Sequence, residues 1–346
     1  MKIIKFLSFL VLVLVLTACS GSCSKDALSG GMNLNGQNRD ILSLVTWNVQ
    51  TFFDGEKDGS EYSDFQKSGN WNREKYAVRL ERLCNVITTL NADIFVLEEI
   101  ENEGILQDVS NYLSGTSWKA KNLYSYSCFA KPAGTGIGIG ILSKYELTDF
   151  TSHSLDIRTQ KVENPSMRYL IQVTIDIDGR ELVLFANHWK SMSGSKEDTE
   201  VWRDWQESLL ADRLIGLKSV GILPAVACGD FNRDIGRFVQ SKQTKQTAGD
   251  VLLRCSGFGK GESISVQSPW YSTNGALSTE IGSYFFQEKW ERIDHIFASG
   301  EVEILSFAPA AFSPWATDGK IPIPYKISTG EGYSDHLPLL CKIRLK

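Results

Sequence analysis

An excess of basic charge, a second long apolar run, an internal repeat and a zinc-type cysteine spacing are all missing from this 346-residue chain. Lys and Arg number 36 against 41 Asp and Glu, for a formal charge of −5 and a pI near 5.6. That balance excludes a protein that grips polyanions by bulk charge alone. Any phosphate substrate would need a cation to screen it. Beyond the N-terminal stretch no segment approaches the ~20 apolar residues of a membrane-spanning helix, and without repeats the solenoid architectures drop out. The seven cysteines include no pair at zinc-site spacing, which removes a Cys-based metal site. Cys84, Cys228 and Cys341 sit in apolar patterns and read as small buried hydrophobes. Cys128 and Cys255 could pair in an oxidising compartment, although sequence alone does not establish it.

Residues 1–18 read as an export signal: Lys2 and Lys5 supply the positive start, and Ile3 to Leu16 is nearly unbroken apolar sequence. The segment ends Leu16-Thr17-Ala18-Cys19, which resembles the bacterial lipobox, where the cysteine is lipidated and becomes the mature N-terminus. A conventional signal peptide with an incidental cysteine is the alternative. Residues 19–40 then read as the lipidated Cys19 and a Ser, Gly and Asn-rich flexible tether. The expected location is the bacterial cell envelope, with the domain exported from the cytoplasm and lipid-anchored to a membrane. Residues 41–346 suffice for one large domain.

Within that domain Ile41 to Val49 is a β-rich run, and Asn72 can cap a helix carrying Tyr76, Leu80, Leu83, Ile87 and Leu90 at helical spacing. Ile94-Phe95-Val96-Leu97 reads as a strand buried on both faces. Gly136 to Leu142 alternates Gly with Ile, as in a strand that another backbone approaches closely. Asp178-Gly179 marks a hairpin between Tyr169–Ile177 and Glu181–Phe185. A second long helix is expected from about Glu200 to Val220, a helix and surface loops within 233–280, and strands over Trp290–Ala298 and Leu337–Leu345. Strands interleaved with helices predict an α/β protein, and the hairpin means its sheets are not purely parallel.

Polar residues follow or interrupt these apolar runs at Asn48, Glu99, His188, Asp230 with Asn232, Asp294, and Asp335 with His336. Asn48, Glu99 and Asp335 are oxygen donors of the type preferred by Mg²⁺, Mn²⁺ or Ca²⁺. His188 and His336 titrate near neutrality and can move protons, and Asp294 could fix the tautomer of one imidazole. The Asp230/Asn232 pair could hold a metal-bound phosphate or align a water, although Asp followed by Asn is also ordinary turn chemistry. Hard-metal oxygens with two histidines suit metal-assisted attack of water on phosphorus.

These segments, in order, resemble the endonuclease/exonuclease/phosphatase superfamily: Trp47-Asn48, Asp93-Ile94-Phe95-Val96-Leu97-Glu98-Glu99, Asn187-His188, Gly229-Asp230-Phe231-Asn232, Arg292-Ile293-Asp294 and Ser334-Asp335-His336. The resemblance covers about residues 41–346. It implies a deoxyribonuclease-I-like, four-layered sandwich of two mixed β-sheets flanked by helices. By the same resemblance Asn48 and Glu99 hold a divalent metal, Mg²⁺ first, and Asp335 contacts the metal or its water. His336, oriented by Asp294, would activate water, Asp230 and Asn232 would position nucleophile and phosphate, and His188 would stabilise developing charge or protonate the leaving oxygen. Arg168 would contact the phosphate. One departure is Glu98, where the family usually has Gln.

The substrate class implied first is nucleic acid, DNA or RNA. A sphingomyelinase-like enzyme or other phosphatase is the rival. The lipid reading would need an exposed aromatic hairpin at Trp270-Tyr271 or Phe285-Phe286. The inositol-phosphatase reading lacks its Pro-Ala-Trp-Cys-Asp-Arg segment, having Trp290-Glu291-Arg292-Ile293-Asp294 instead. A non-catalytic surface-binding lipoprotein is the rival of another class. His153 and His295 read as satisfied or surface residues, and Trp189, Trp202, Trp205 and Trp290 as core or cleft wall. Lys119, Lys121, Lys131 and Lys190 are solvated surface or the edge of a nucleic-acid path.

Overall fold

Side chains alternate along the Ile41–Phe52 strand between two cores: Leu42 and Leu44 join one, Val45, Trp47 and Val49 the other. A strand buried on both faces belongs in the middle of a sheet with a layer on each side. The computed structural model describes residues 22–25, 41–116, 124–155, 167–192, 196–221, 224–240 and 249–346. Its first strands are β1 (Ser22–Lys25), β2 (Ile41–Phe52), β3 (Ile94–Ile100), β4 (Tyr126–Ala130), β5 (Gly138–Ser143) and β6 (Glu146–His153). There follow β7 (Leu170–Ile177), β8 (Arg180–His188), β9 (Ala225–Asp230), β10 (Val239–Gln240), β11 (Asp250–Arg254) and β12 (Ser263–Gln267). The last are β13 (Tyr284–Phe286), β14 (Lys289–Glu291), β15 (Asp294–Ser299), β16 (Val302–Pro309) and β17 (Leu339–Leu345). The helices are α1 (Ser63–Lys67), α2 (Arg73–Leu90), α3 (Glu103–Ser114) and α4 (Lys196–Ser219).

One sheet runs β1-β4-β5-β3-β2-β17-β16, the other β10-β11-β12-β15-β9-β8-β7-β6, and β13-β14 stands apart as a hairpin. Helices α2 and α3 cover the first sheet through Leu83, Ile87, Ile105 and Val109, and α4 covers the second through Leu210, Ala211 and Leu214. Leu44, Val96 and Ile141 of the first sheet meet Leu184, Val226 and Cys228 of the second in the core between them. The fold is the expected four-layered α/β sandwich. Its sheets are mixed: β2–β3 and β8–β9 are parallel and their neighbours antiparallel. Asn72 caps α2 by accepting from Lys75 N (3.0 Å), and the β7–β8 turn places Asp178 and Gly179 at φ 55° and 86°. No described helix is long and apolar enough to cross a membrane.

Several expectations need correction. Part of the presumed tether, Ser22–Lys25, pairs antiparallel with β4, because the open edge of a sheet offers backbone groups to any chain that reaches it. Helix α3 was not anticipated, although Asn102 caps it by accepting from Ile105 N (3.3 Å). The described part of 233–280 holds no α-helix. It contains β10, β11, β12 and two 3₁₀ turns, since Val251, Leu253, Ile264 and Val266 alternate with more exposed residues at a period of two. The expected strand over 290–298 is broken, because the Arg292 and Ile293 carbonyls accept from Ile235 N and Phe231 N. Cys128 and Cys255 are both buried free thiols, so no disulfide joins them.

Gly229 sits where β9 passes closest to β8. Its φ is 136°, and a Cβ there would run into the Asn187 carbonyl. Gly229→Ala should therefore lower the unfolding free energy by roughly 3 kcal/mol or more. An unchanged urea midpoint would show that the two strands have room to part.

Candidate active site

Glu98 and Glu99 would point to opposite faces of a regular strand, but β3 bulges between them and brings Glu99 round to the cleft. Glu99 has φ 68°, and the β3 register shifts there against both neighbouring strands. A bulge re-aims a side chain that a regular strand would send to the opposite face. Glu98 keeps the inward direction, is fully buried and accepts from Thr46 Oγ1 (2.7 Å). Burial raises its carboxyl well above the usual range, so it keeps its proton. A protonated Glu has nearly the shape of Gln and, like it, both donates and accepts, which accounts for the departure from the family pattern.

Glu99 turns to the end of the sandwich, where β2, β8 and β9 also finish. There Asn48 Nδ2 donates to Glu99 Oε1 (3.1 Å) and to Asp230 Oδ2 (3.0 Å), while Asn48 Oδ1 accepts from Gln50 N (2.9 Å). Thr51 N donates to Glu99 Oε2 (2.5 Å). The turn that delivers these groups places Gln50 and Thr51 at φ 54° and 48°. Buried Arg79 clamps it, donating to the Val49, Gln50 and Thr51 carbonyls with its guanidinium 3.8 Å from the Tyr325 ring centroid. Nothing in the sequence marked Arg79 as more than a helix residue.

In the other sheet His188 is paired with Asp230 across the parallel β8–β9 ladder, and Asp294 with Asp230 across β9–β15. His188 Nε2 lies 3.7 Å from Glu99 Oε1 and 3.6 Å from Asp230 Oδ2. Asn232, at φ 47°, donates from its backbone to Asp230 Oδ1 (2.8 Å) and from Nδ2 to Asp230 Oδ2 (3.0 Å). Its neighbour Arg233 is buried and ion-paired with Glu200, Asp204 and Glu207 of α4. His336 Nδ1 bonds Asp294 Oδ2 at 2.8 Å, leaving Nε2 for the cleft. Ser334 Oγ ties this loop to β2 by donating to the Asn48 carbonyl (2.6 Å).

Asn48, Glu99, His188, Asp230, Asn232, Asp335 and His336 all line one cleft of about 460 Å³, with Asp294 behind His336. Arg168 is the exception. It donates to the Trp189 carbonyl (3.0 Å), which Asn232 Nδ2 also uses (3.2 Å), and it stands beside His188 rather than in the cleft. Arg168 thus supports the loop after β8 from beside the cleft. His295 is buried and bonded to the Arg233 carbonyl (2.7 Å), and His153 to Gln172 (3.0 Å), as expected of residues outside the site. Trp189 and Trp202 are buried. Lys131 and Lys190 do not line the cleft. Cys19, the signal segment, Lys119 and Lys121 lie outside the described residues. Tyr284, which nothing in the sequence marks, and Phe286, expected only as part of a lipid-entering hairpin, form one wall of the cleft.

The electrostatics divide the two histidines. Burial, then the charges of Arg168 and His336, hold His188 well below the usual imidazole value and favour its neutral form. Burial also opposes charge on His336, but Asp294, Asp335 and Asp230 outweigh it and raise its value well above normal. Burial, then Asp294, pushes Asp230 up to about 7. Two carboxylate oxygens meeting on one amide, with no thiol lining the cleft, are a donor set suited to a hard divalent cation. Turning the Asn48 amide over would add its oxygen to that set.

The sequence matches the Endonuclease/Exonuclease/phosphatase family over residues 43–344. The chain belongs to that family. The fold is shared with a truncated TDP2 of Caenorhabditis elegans, at 14% identity and TM-score 0.54 over 88% of this chain and 97% of that one. It is shared too with the human Nocturnin catalytic domain, at 14% identity and TM-score 0.53 over 94% and 98%. A structure of D. rerio TDP2 complexed with single strand DNA product matches at 16% identity and TM-score 0.50 over 88% and 99%. No curated protein matches the sequence.

The raised value of Asp230 gives a test without substrate. Its folded value of about 7 exceeds the ordinary aspartate value of 3.8, so between these the folded state binds more protons and stability falls as pH rises. In EDTA, urea unfolding from pH 4 to 8 should show this fall, and Asp230→Asn should flatten it. Parallel curves for the two proteins would mean that Asp230 ionises normally.

Proposed function

We propose that this chain is a metal-dependent phosphodiesterase, a nuclease hydrolysing DNA or RNA by attack of water on phosphorus. The observation that carries the reading is the His336–Asp294 pair set at the same cleft as the Glu99 and Asp230 carboxylates, which meet on the Asn48 amide. Asn48, Glu99 and Asp335 would hold Mg²⁺, or Mn²⁺ or Ca²⁺ in its place, and a bound cation would screen the phosphate charge and favour attack at phosphorus. His336 takes the proton of the attacking water at Nε2, with Asp294 holding its tautomer through Nδ1. Asp230 and Asn232 orient the nucleophile and the phosphate. His188 donates its neutral N–H toward charge developing on phosphoryl or leaving oxygens. That D. rerio TDP2 holds a single strand DNA product supports nucleic acid as the substrate class. The lipid reading is weakened because Trp270 is fully buried and Phe285 packs on Trp290 at 4.9 Å, so neither Trp270-Tyr271 nor Phe285-Phe286 presents both its rings together.

Purified protein should cleave single-stranded DNA or RNA with Mg²⁺ and lose that activity in EDTA. His336→Ala should lower kcat by roughly 10²–10⁴-fold. Asp294→Asn should produce a loss of the same kind, and the double variant should be little worse than His336→Ala, since the pair acts as a unit. The base must be unprotonated, so the acidic limb of kcat/KM should lie above the ordinary imidazole value of 6.5. Full turnover in EDTA, or near-normal activity of His336→Ala, would end this reading.

Membrane attachment through a lipidated Cys19 belongs to the same proposal, motivated by Leu16-Thr17-Ala18-Cys19. Two or more acyl chains on one cysteine suffice for stable anchoring. Cys19→Ser should move the protein to the soluble fraction or block its processing. A variant that stays with membranes after a carbonate wash would point to another anchor.

A further inference from the structure

The catalytic cleft has one wall that the chemistry above does not use. Phe286 lines it and is 53% exposed, while the next aromatic along the hairpin, Phe285, is turned away onto Trp290. Tyr284 and Phe286 are two residues apart in β13 and so share a face. Their rings lie nearly parallel (19°) with centroids 6.1 Å apart. Tyr284 is braced by the His336 ring at 4.8 Å. The hairpin is hooked to the segment that carries the base, through the Tyr284–His336 bridge and through Leu337 N donating to the Ser283 carbonyl (2.7 Å). The position of the wall relative to His336 is thereby fixed.

A second observation concerns charge. Among the described residues, none of the 13 lining the cleft is Lys or Arg, and Glu291 stands beside the aromatic wall. A groove that tracks a polynucleotide backbone is lined with basic side chains, and the described lining of this one is not. What the cleft offers beyond the reacting phosphate is a flat apolar ring at its mouth. We infer that Tyr284 and Phe286 form a stacking subsite for a single unpaired nucleobase attached to the scissile phosphate, so that the preferred substrate is a nucleoside phosphodiester at a single-stranded or terminal position. The inference rests on the phosphodiesterase reading and deepens it. A base inside a duplex already has both faces stacked and is not available to Phe286. Phe286 offers no hydrogen bond, so the subsite senses a planar ring and not the identity of the base.

The test compares the p-nitrophenyl ester of thymidine 5′-monophosphate with methyl p-nitrophenyl phosphate, which shares the leaving group and lacks the base. In full-chain protein with Mg²⁺, Phe286→Ala should reduce the ratio of kcat/KM between these esters about tenfold or more, since aromatic–base stacking contributes ~1–3 kcal/mol per base. Phe286→Trp should restore the ratio, and Phe286→Leu should not. Equal losses on both esters would make Phe286 a support for the hairpin, and an unchanged ratio would remove the subsite. An unchanged ratio with lost hydrolysis of sphingomyelin vesicles would assign the ring to a lipid surface and overturn the proposal. If the wild type hydrolyses neither ester, the phosphodiesterase reading fails separately. The subsite is then decided by quenching of 2-aminopurine riboside 5′-monophosphate fluorescence, which Phe286→Ala should abolish; quenching that persists would overturn it.

Discussion

Like charge held at close quarters out of water is the constraint around which this protein is arranged. Glu99, Asp230, Asp294 and Asp335 gather at one end of the sandwich, Asp230 and Asp294 almost completely buried. Carboxylates so placed repel one another strongly in a low-dielectric setting. The surrounding groups answer that repulsion. The Asn48 amide and the backbone N–H groups of Thr51 and Asn232 donate into it, and His336 is drawn toward its charged form. What these donors leave unbalanced is negative charge, the feature that would draw the divalent cation proposed for the site.

Holding the arrangement requires backbone that an unconstrained chain avoids. Gln50, Thr51, Glu99 and Asn232 all have positive φ, and each lies at or next to a group in the cleft. Strain of this kind persists only where the surroundings over-determine it. Arg79 does so on one side, gripping three successive carbonyls from behind the turn. Arg233 does so on the other, where three carboxylates of α4 fix the residue that follows Asn232. These two buried guanidiniums connect the outer helical layers to the site. The helices thus act as braces for the catalytic loops as well as covers for the sheets.

Much was legible from residues alone. Strand ends carrying Asn48, Glu99, His188, Asp230 and His336 were identifiable because a strand buried on both faces is a continuous apolar run, and a polar residue that stops such a run is conspicuous. The pairing of His336 with Asp294 could be anticipated from chemistry. The bulge at Glu99 could not, since no residue type marks it. Nor could the role of Arg168, whose nearest acceptor, the Trp189 carbonyl, becomes its neighbour only when β7 and β8 are side by side. The aromatic wall was hidden for a similar reason: Phe285 and Phe286 look alike in sequence, and the pleat of β13 alone decides which one packs on Trp290.

The sequence by itself determined the layers of the fold, the family and the identities of the groups that carry charge, because burial pattern and residue chemistry are local properties. Only the tertiary structure decided which carboxyl is protonated, which histidine is neutral and which aromatic ring faces the cleft. Those outcomes depend on distance and desolvation. Glu98 and Glu99 are adjacent and chemically identical, yet one is sealed between the sheets beside Thr46 while the other faces the cleft beside Asn48. A single reversed φ separates them, and no local rule of residue type predicts where the chain will make that turn.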